Sequence, residues 1–215
     1  MEASIESNDK MEASDKTKKK YDRIAPVYDF LESFHEIAQF SGWRRKFISP
    51  LKGKILEVGV GTGKNIPYYS DSADVIGIDF SDKMLARAKK RLQESGKKNI
   101  DLKKMDVEFL NLRENSFDYV VTSCVFCSVP NPVEGLKEIK RVLKPAGKAI
   151  MIEHVLSRHR VIAFFENLFN PLSTFLWGAN INRDTKKNII SAGLSVVKDQ
   201  NLAFFDVFRL FVSKK

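Results

Sequence analysis

From residue 54 onward, short apolar runs and amphipathic stretches take turns, and each change of period falls at glycine, proline, asparagine or aspartate. KILEVG (54–59) reads as a buried strand, and DVIGID (74–79), NIDLKKMD (99–106), FDYVVTSCVF (117–126) and KAIMIEHV (148–155) as four more. Between the first two, KNIPYY opens a helix. SDKMLARAKKRLQES then places Met84, Leu85, Ala88 and Leu92 on one helical face behind Ser81 as N-cap. In NPVEGLKEIKRVLKPAG, Asn131 caps a helix, Pro132 takes its first position and Glu134 closes a capping box. Lys140, Arg141 and Lys144 favour the negative end of that helix, and Pro145 with Gly147 stop it. A further helix runs near Arg183–Ala192 and ends at Gly193. LSVVKD and FFDVFRLFVS close the chain as adjacent strands. Such alternation predicts an α/β fold, a mainly parallel sheet with helices on both faces. The short link between the last two strands predicts an antiparallel pair at the sheet edge.

Residues 1–16 are polar, repeat a MEAS tetrad and carry no apolar stretch, so they are expected to be a disordered tail rather than a signal or an anchor. Residues 17–52 are rich in aromatics and predict lid helices with a membrane-facing side, and 53–215 form one ligand-binding domain. The most apolar segment, VIAFFENLFNPLSTFLWGA (161–179), is broken by Glu166, two asparagines and Pro171. It is too interrupted to cross a bilayer, and suits lying on a membrane or covering an apolar ligand.

Charge narrows the partners. The chain has 36 basic and 27 acidic residues, a net +9, which fits acidic lipid, nucleic acid or a phosphorylated substrate, or serves solubility alone. The two cysteines, Cys124 and Cys127, sit in an apolar run and point to a reducing, cytosolic compartment. Their CxxC spacing invites a redox or zinc reading, but zinc takes about four ligands. His35, His154 and His159 supply no second paired spacing, so small pocket-lining residues are the better reading and no metal is expected.

The first strand runs into Glu57-Val58-Gly59-Val60-Gly61-Thr62-Gly63-Lys64-Asn65. Glycines at a strand-to-helix turn let the backbone approach a ligand closely. A dinucleotide loop is related, but Lys64 stands where its glycine spacing would be completed. An acidic-x-G-x-G-x-G form suits a nucleoside with a zwitterionic tail; a tight turn without ligand is the plainer reading. Asp79 ends the second strand, where a carboxylate can accept both ribose hydroxyls. Asp106 ends the third, placed to accept from an adenine amino group, and Phe117-Asp118-Tyr119-Val120-Val121 opens the fourth below the same cleft.

These residues resemble the class I S-adenosylmethionine (SAM)-dependent methyltransferases: LEVGVGTGKN, GIDFS, MDVEFL, FDYVV and RVLKPAGKAIMIEH match that family's ordered motifs over about residues 20–213. The resemblance implies a Rossmann-like, seven-stranded sheet with an antiparallel last strand, and SAM as cofactor with S-adenosylhomocysteine as product. It places Glu57, Gly59, Gly61 and Gly63 around the methionine moiety with Asn65 beside them. Asp79 falls at the ribose, Asp106 and Val107 at adenine, and Cys124 at the sulfonium, with Phe80 and Met84 as further cofactor-binding residues. The Tyr21-Asp22…Tyr28-Asp29 repeat resembles the lid of bacterial phosphatidylethanolamine N-methyltransferases and quinone-biosynthesis C-methyltransferases. By that resemblance Tyr21 contacts the cofactor and Tyr28 acts in catalysis.

The acceptor is set by lid and pocket, because the sulfonium brings its own activation. YDRIAPVYDFLESFHEIAQFSGWRRKF ends in the cluster Trp43-Arg44-Arg45-Lys46-Phe47, which suits either an anionic membrane surface or a packed lid helix. SCVFCSVPNP, IEHV and WGANINRDT resemble the phospholipid N-methylating branch and a related group of thiol methyltransferases. Trp177, Asn180 and Arg183 are the expected acceptor-side residues, Arg183 pairing with a lipid phosphate or forming an ordinary surface ion pair. His154 is placed to take a proton, or is a buried histidine bonded to nearby backbone. The leading expectation is N-methylation of phosphatidylethanolamine by an enzyme peripheral on the inner membrane face. Carbon methylation of a prenylated quinone precursor, methylation of a soluble thiol or amine, and a SAM-binding sensor are the alternatives. Nucleic acid is not expected: Ser123-Cys124-Val125-Phe126 stands where base amino-methylating enzymes carry Asp/Asn-Pro-Pro-aromatic, and the basic residues are dispersed. Oligomeric state is left open.

Overall fold

A computed structural model describes residues 15–23 and 39–215. Tyr28 and His35 lie outside them. Helix α1 (15–23) and α2 (Gln39–Phe47) precede strand β1 (Gly53–Val58), a single 3-10 turn (Ile66–Tyr68) and β2 (Ala73–Asp79). Then come α3 (Asp82–Ser95), β3 (Ile100–Lys104), β4 (Phe117–Ser123), α4 (Pro132–Val142) and β5 (Leu143–His154). Helices α5 (Arg160–Trp177) and α6 (Thr185–Ser191) lead to the closing strands β6 (Ser195–Ala203) and β7 (Phe208–Lys214).

The strands form one seven-stranded sheet in the order β3-β2-β1-β4-β5-β7-β6. The first five pair in parallel, and β7 runs antiparallel to both β5 and β6. The final hairpin therefore inserts its second strand into the sheet and leaves β6 at the edge. Successive residues of each central strand feed opposite cores. Leu56, Val120, Met151 and Phe211 pack with Leu136 and Ile139 of α4, and Ile55, Val121, Ile150 and Leu210 with Leu85 and Ala88 of α3. Strand order reverses between β1 and β4, which opens a crevice beyond their carboxyl ends.

Ser81 caps α3 as the sequence predicts, accepting from the Met84 N–H at 3.1 Å. Three local expectations change. KNIPYY makes only one 3-10 turn, because Tyr69 turns extended (φ −67°, ψ 135°) and buries its ring. The capping box of α4 does not form: the Asn131 backbone N–H and side-chain amide both donate to Glu108 at 2.8 Å, and Glu134 pairs with Lys137. That helix ends at Val142, and Leu143 already pairs with Phe117. Residues 144–147, including Pro145 and Gly147, make an irregularity inside β5 before pairing resumes at Lys148.

Candidate functional site

Two cavities share one wall at the crevice. The first is lined by Tyr21, Gly59, Gly61, Asp79, Phe80, Met84, Met105, Asp106, Val107 and Cys124 among others. Gly59, Gly61 and Gly63 all have positive φ, and a Cβ on Gly59 would meet Val125 Cγ2 at 2.5 Å. On Gly61 it would meet only the Gly59 carbonyl, at 3.9 Å, so backbone there is open to a ligand. Asp79 is aimed by two backbone donors, Gly61 N–H to Oδ2 and Ser81 N–H to Oδ1, each at 2.9 Å. Burial nevertheless raises its pKa to about 6.

The second cavity, about 330 Å³, continues from Gly59 and Cys124 past Glu57, Asn65, Arg44 and His154 to Phe40, Ile181 and Phe208. Arg44 Nε donates to Asn65 Oδ1 at 2.7 Å, and Asn65 Nδ2 donates to Glu57 Oε1 at 2.7 Å. Glu57 is wholly buried beside the Tyr69 hydroxyl, and burial lifts its carboxyl to about 7 despite hydrogen bonding from Asn65 and Tyr69 and the nearby Arg44 charge. His154 is neutral at ordinary pH, since burial lowers its pKa to about 4, and its Nε2 lies 4.0 Å from Glu166 Oε1.

The shared wall is the turn after β4. Cys124 takes a left-handed conformation (φ 55°), and Glu153, wholly buried on β5, holds the turn from below. Its Oε2 accepts the N–H groups of Val125 and Phe126 at 3.0 and 3.1 Å, and its Oε1 the Thr122 hydroxyl. Behind the turn, the Asn180 N–H donates to the Cys127 carbonyl at 2.7 Å and Arg183 Nη2 to the Val129 carbonyl at 3.0 Å. Burial pushes the Cys127 thiol up to about 11, so it stays protonated near neutrality. Among the described residues there is no group of three or more metal-ligating side chains.

Helix α1 closes the crevice. The Tyr21 hydroxyl hydrogen-bonds Ser128 Oγ, and its ring lies 5.9 Å from that of Phe80. Asp22 accepts from Ser81 Oγ at 2.6 Å, and Lys20 donates to the Thr174 carbonyl at the same distance. Helix α1 thus straps the start of α3 to the end of α5. Beneath it a groove runs from Cys124 and Cys127 past Tyr21 to Phe169, Leu172 and Trp177 on α5.

A family model described as a methyltransferase domain matches residues 56–151. The phosphatidylethanolamine N-methyltransferase of Cereibacter sphaeroides is 34% identical over 170 residues, covering 75% of this chain and 82% of its own. The chain belongs to the SAM-dependent methyltransferases. The demethylmenaquinone methyltransferase of Lactobacillus johnsonii is likewise 34% identical, over 75% of this chain and 71% of its own. A solved SAM-dependent methyltransferase from Thermotoga maritima superposes with a TM-score of 0.69 at 22% identity, over 92% of this chain and 99% of the other. Haemonchus contortus phosphoethanolamine N-methyltransferase 2, solved with phosphomonomethylethanolamine and S-adenosylhomocysteine, gives 0.68 at 16% identity over 90% and 58%. Both likenesses concern the fold.

The cofactor of this methyltransferase is SAM, and the crevice carries the glycines and carboxylates expected to hold it. Glu57, on the wall of the second cavity, and Asp79, on that of the first, are the carboxylates that would hold the cofactor, and the open Gly61 backbone leaves room for its approach. Of the residues named from the sequence, Tyr21, Gly59, Gly61, Asp79, Phe80, Met84, Asp106, Val107 and Cys124 line the first cavity. Glu57, Asn65 and His154 line the second, and Trp177 the groove. Gly63 departs from expectation. Its φ of 84° serves packing, since a Cβ would meet Ile66 Cδ1 at 2.7 Å and the Ala88 Cα at 3.1 Å. Asp118 stands at the opposite end of β4 from the crevice, held by Lys144 and the Lys54 N–H. Asp106 lies past the end of β3, in the loop. The cluster 43–47 is a packed helix: Arg44 is buried, and Trp43 and Phe47 sit on the core. Ser128 and Glu153 were not foreseen, and Arg44 and Glu166 were named for other reasons; Glu153 and Glu166, carboxylates inside apolar stretches, carry a signal that sequence could have offered.

Proposed function

We propose that this methyltransferase N-methylates the amine of an ethanolamine phospholipid at an anionic membrane surface, as a peripheral enzyme. The carrying observation is the groove from Cys124 to Trp177, apolar along Phe169 and Leu172, which gives an acyl chain a path away from the reacting centre. SAM supplies an already activated methyl group, leaving the protein to align the nucleophile and exclude water. His154, neutral on the wall of the second cavity, accepts a hydrogen bond from the amine and keeps its lone pair aimed at the methyl carbon. The packed Tyr21 and the buried Glu57 hold the two ends of the cofactor. Arg183, tied to backbone carbonyls behind the turn, acts through that turn, with Asn180, more readily than on a phosphate directly. The relative from C. sphaeroides carries this activity in its name.

Carbon methylation of a prenylated quinone precursor is a second reading, favoured by the equally identical relative from L. johnsonii; the same groove fits an isoprenoid tail. Incubation of the purified chain with methyl-labelled SAM and a total cell extract, split afterwards into lipid and aqueous fractions, separates the two. Label moving with mono- or dimethylated phosphatidylethanolamine supports the first. Carbon-bound label in a quinone overturns it in favour of the second, and label confined to aqueous thiols or amines overturns both.

A further inference from the structure

Helix α5 is built inside out. Surface helices turn an apolar stripe to the core and charge to water. Here the inward residues include Glu166 and Ser173, 8% and 6% exposed, while the outward face carries Val161, Phe164, Phe165, Leu168, Leu172 and Phe175. Phe164 is 62% and Phe175 74% exposed. The polar inner stripe has partners that fix this orientation. Glu166 accepts the Ser157 N–H at 2.8 Å, and Ser173 Oγ donates to the Ala179 carbonyl at 2.9 Å. The helix therefore cannot roll over to hide its phenylalanines without breaking both bonds.

A second aromatic site adjoins it. The turn between β6 and β7 holds Phe204 and Phe205 in left-handed conformations, and Phe205, 75% exposed, contacts the ring of His159 at the start of α5. The apolar face thus runs on from the helix to the hairpin tip. Cations stand at both ends: Arg160 and Arg158 beside the tip, Arg158 paired with Asp199 at 3.3 Å, and at the far end Lys20 of α1, bonded to the Thr174 carbonyl. The sole carboxylate of α5 is Glu166, which points inward. No helix among the described residues is long and apolar enough to cross a membrane.

The geometry points to the α5 face and the Phe204–Phe205 tip together as the surface that seats in an anionic lipid bilayer, with α5 lying in the plane of the interface. An apolar stripe flanked by cations and free of outward carboxylates has the charge pattern that anionic headgroups over an acyl layer complement. Since Phe169 and Leu172 also wall the groove, its mouth opens toward the lipid, and the acceptor enters sideways from the bilayer. This last step rests on the lipid-methylation reading; the docking itself does not.

Vesicles of phosphatidylcholine with a minority of phosphatidylglycerol contain no primary amine, so they test docking apart from catalysis. The full chain is expected to sediment with them without SAM, and the F164E/L168E variant to lose at least tenfold in partitioning. Thermal midpoint and SAM affinity should stay as in the parent, since neither residue lines a cavity described above. Failure of the parent chain to sediment overturns the proposal, as does equal sedimentation of parent and variant. A concentration-dependent dimer that F164E/L168E dissolves and that vesicles leave intact also overturns it, assigning the face to a second copy. If docking holds while no phospholipid is methylated, the surface stands and the substrate reading falls.

Discussion

Glu153 Oε2 accepts the backbone N–H of Val125 at 3.0 Å, and through that bond a residue with no exposure of its own shapes the wall of both cavities. The turn it holds contains Cys124 in a left-handed conformation, which a β-carbon resists by about 1–2 kcal/mol. Replacing Glu153 with Gln keeps the volume and an oxygen for the Val125 and Phe126 N–H groups, but its amide nitrogen then faces the Thr122 hydroxyl, whose own proton loses its acceptor. At least one buried polar group then loses its partner, at about 1–3 kcal/mol. E153Q is expected to lower the thermal midpoint by several degrees and to weaken SAM binding about tenfold by calorimetry. Unchanged affinity with a lowered midpoint would leave Glu153 a role in stability alone.

The same buried carboxylates set a dependence on pH. Burial raises Glu57 and Glu153 from 4.5 to about 7, and Asp79 from 3.8 to about 6. Folded chain therefore keeps protons that unfolded chain has released, so their contribution is complete below about pH 4 and lost as pH climbs through 6 and 7. His154 works the other way: lowered from 6.5 to about 4, it contributes stability that is complete only above pH 6.5. Between pH 6.5 and 8 the carboxylates act without that opposition. Calorimetry of the SAM-free protein should show the midpoint falling by about 2–6 °C over this interval, from about 1–2 kcal/mol of lost stability. A midpoint that rises from pH 6.5 to 8 would refute the assignment of these three groups.

A neutral His154 makes a distinct prediction for catalysis. An imidazole titrating near pH 4 contributes no acid limb to the rate between pH 6 and 8, and any limb there belongs to the amine of the acceptor. Substituting His154→Ala should cut kcat by about 10- to 100-fold and leave the KM for SAM within about twofold. A change confined to the SAM KM would place His154 in the cofactor site and remove it from the acceptor side.

The fold was legible because its signals are local. Glycine at strand ends, Ser81 before α3 and Pro132 at the start of α4 each act within a turn of their own position. The residues lining the first cavity were legible for the same reason, since Gly59, Asp79 and Asp106 each lie at or just past a strand's carboxyl end. What stayed hidden depends on distance in the chain. Nothing near Arg44 announces that its guanidinium will reach Asn65, and the outward face of α5 depends on Ser157 and Ala179 binding its polar side. The apolar composition of 161–179 was plain, whereas the side on which it lay was not.

Gly59 lines both cavities and Gly63 lines neither, although both are packed against protein atoms. Both have positive φ, at 66° and 84°, so alanine at either costs about 1–2 kcal/mol in backbone strain. At Gly59 the new methyl meets the Val125 side chain at 2.5 Å, on a wall of both cavities. At Gly63 it meets the Ala88 backbone at 3.1 Å, away from either, where α3 cannot yield without disturbing the core. Gly59→Ala should weaken SAM binding by about 100-fold with a modest fall in midpoint. Gly63→Ala should lower the midpoint more, while the folded fraction binds SAM within about threefold of the parent. Calorimetric titration beside a thermal scan reads both quantities on each variant. Equal loss of affinity in the two would mean that the loop moves as one body and that Gly63 serves the cofactor after all.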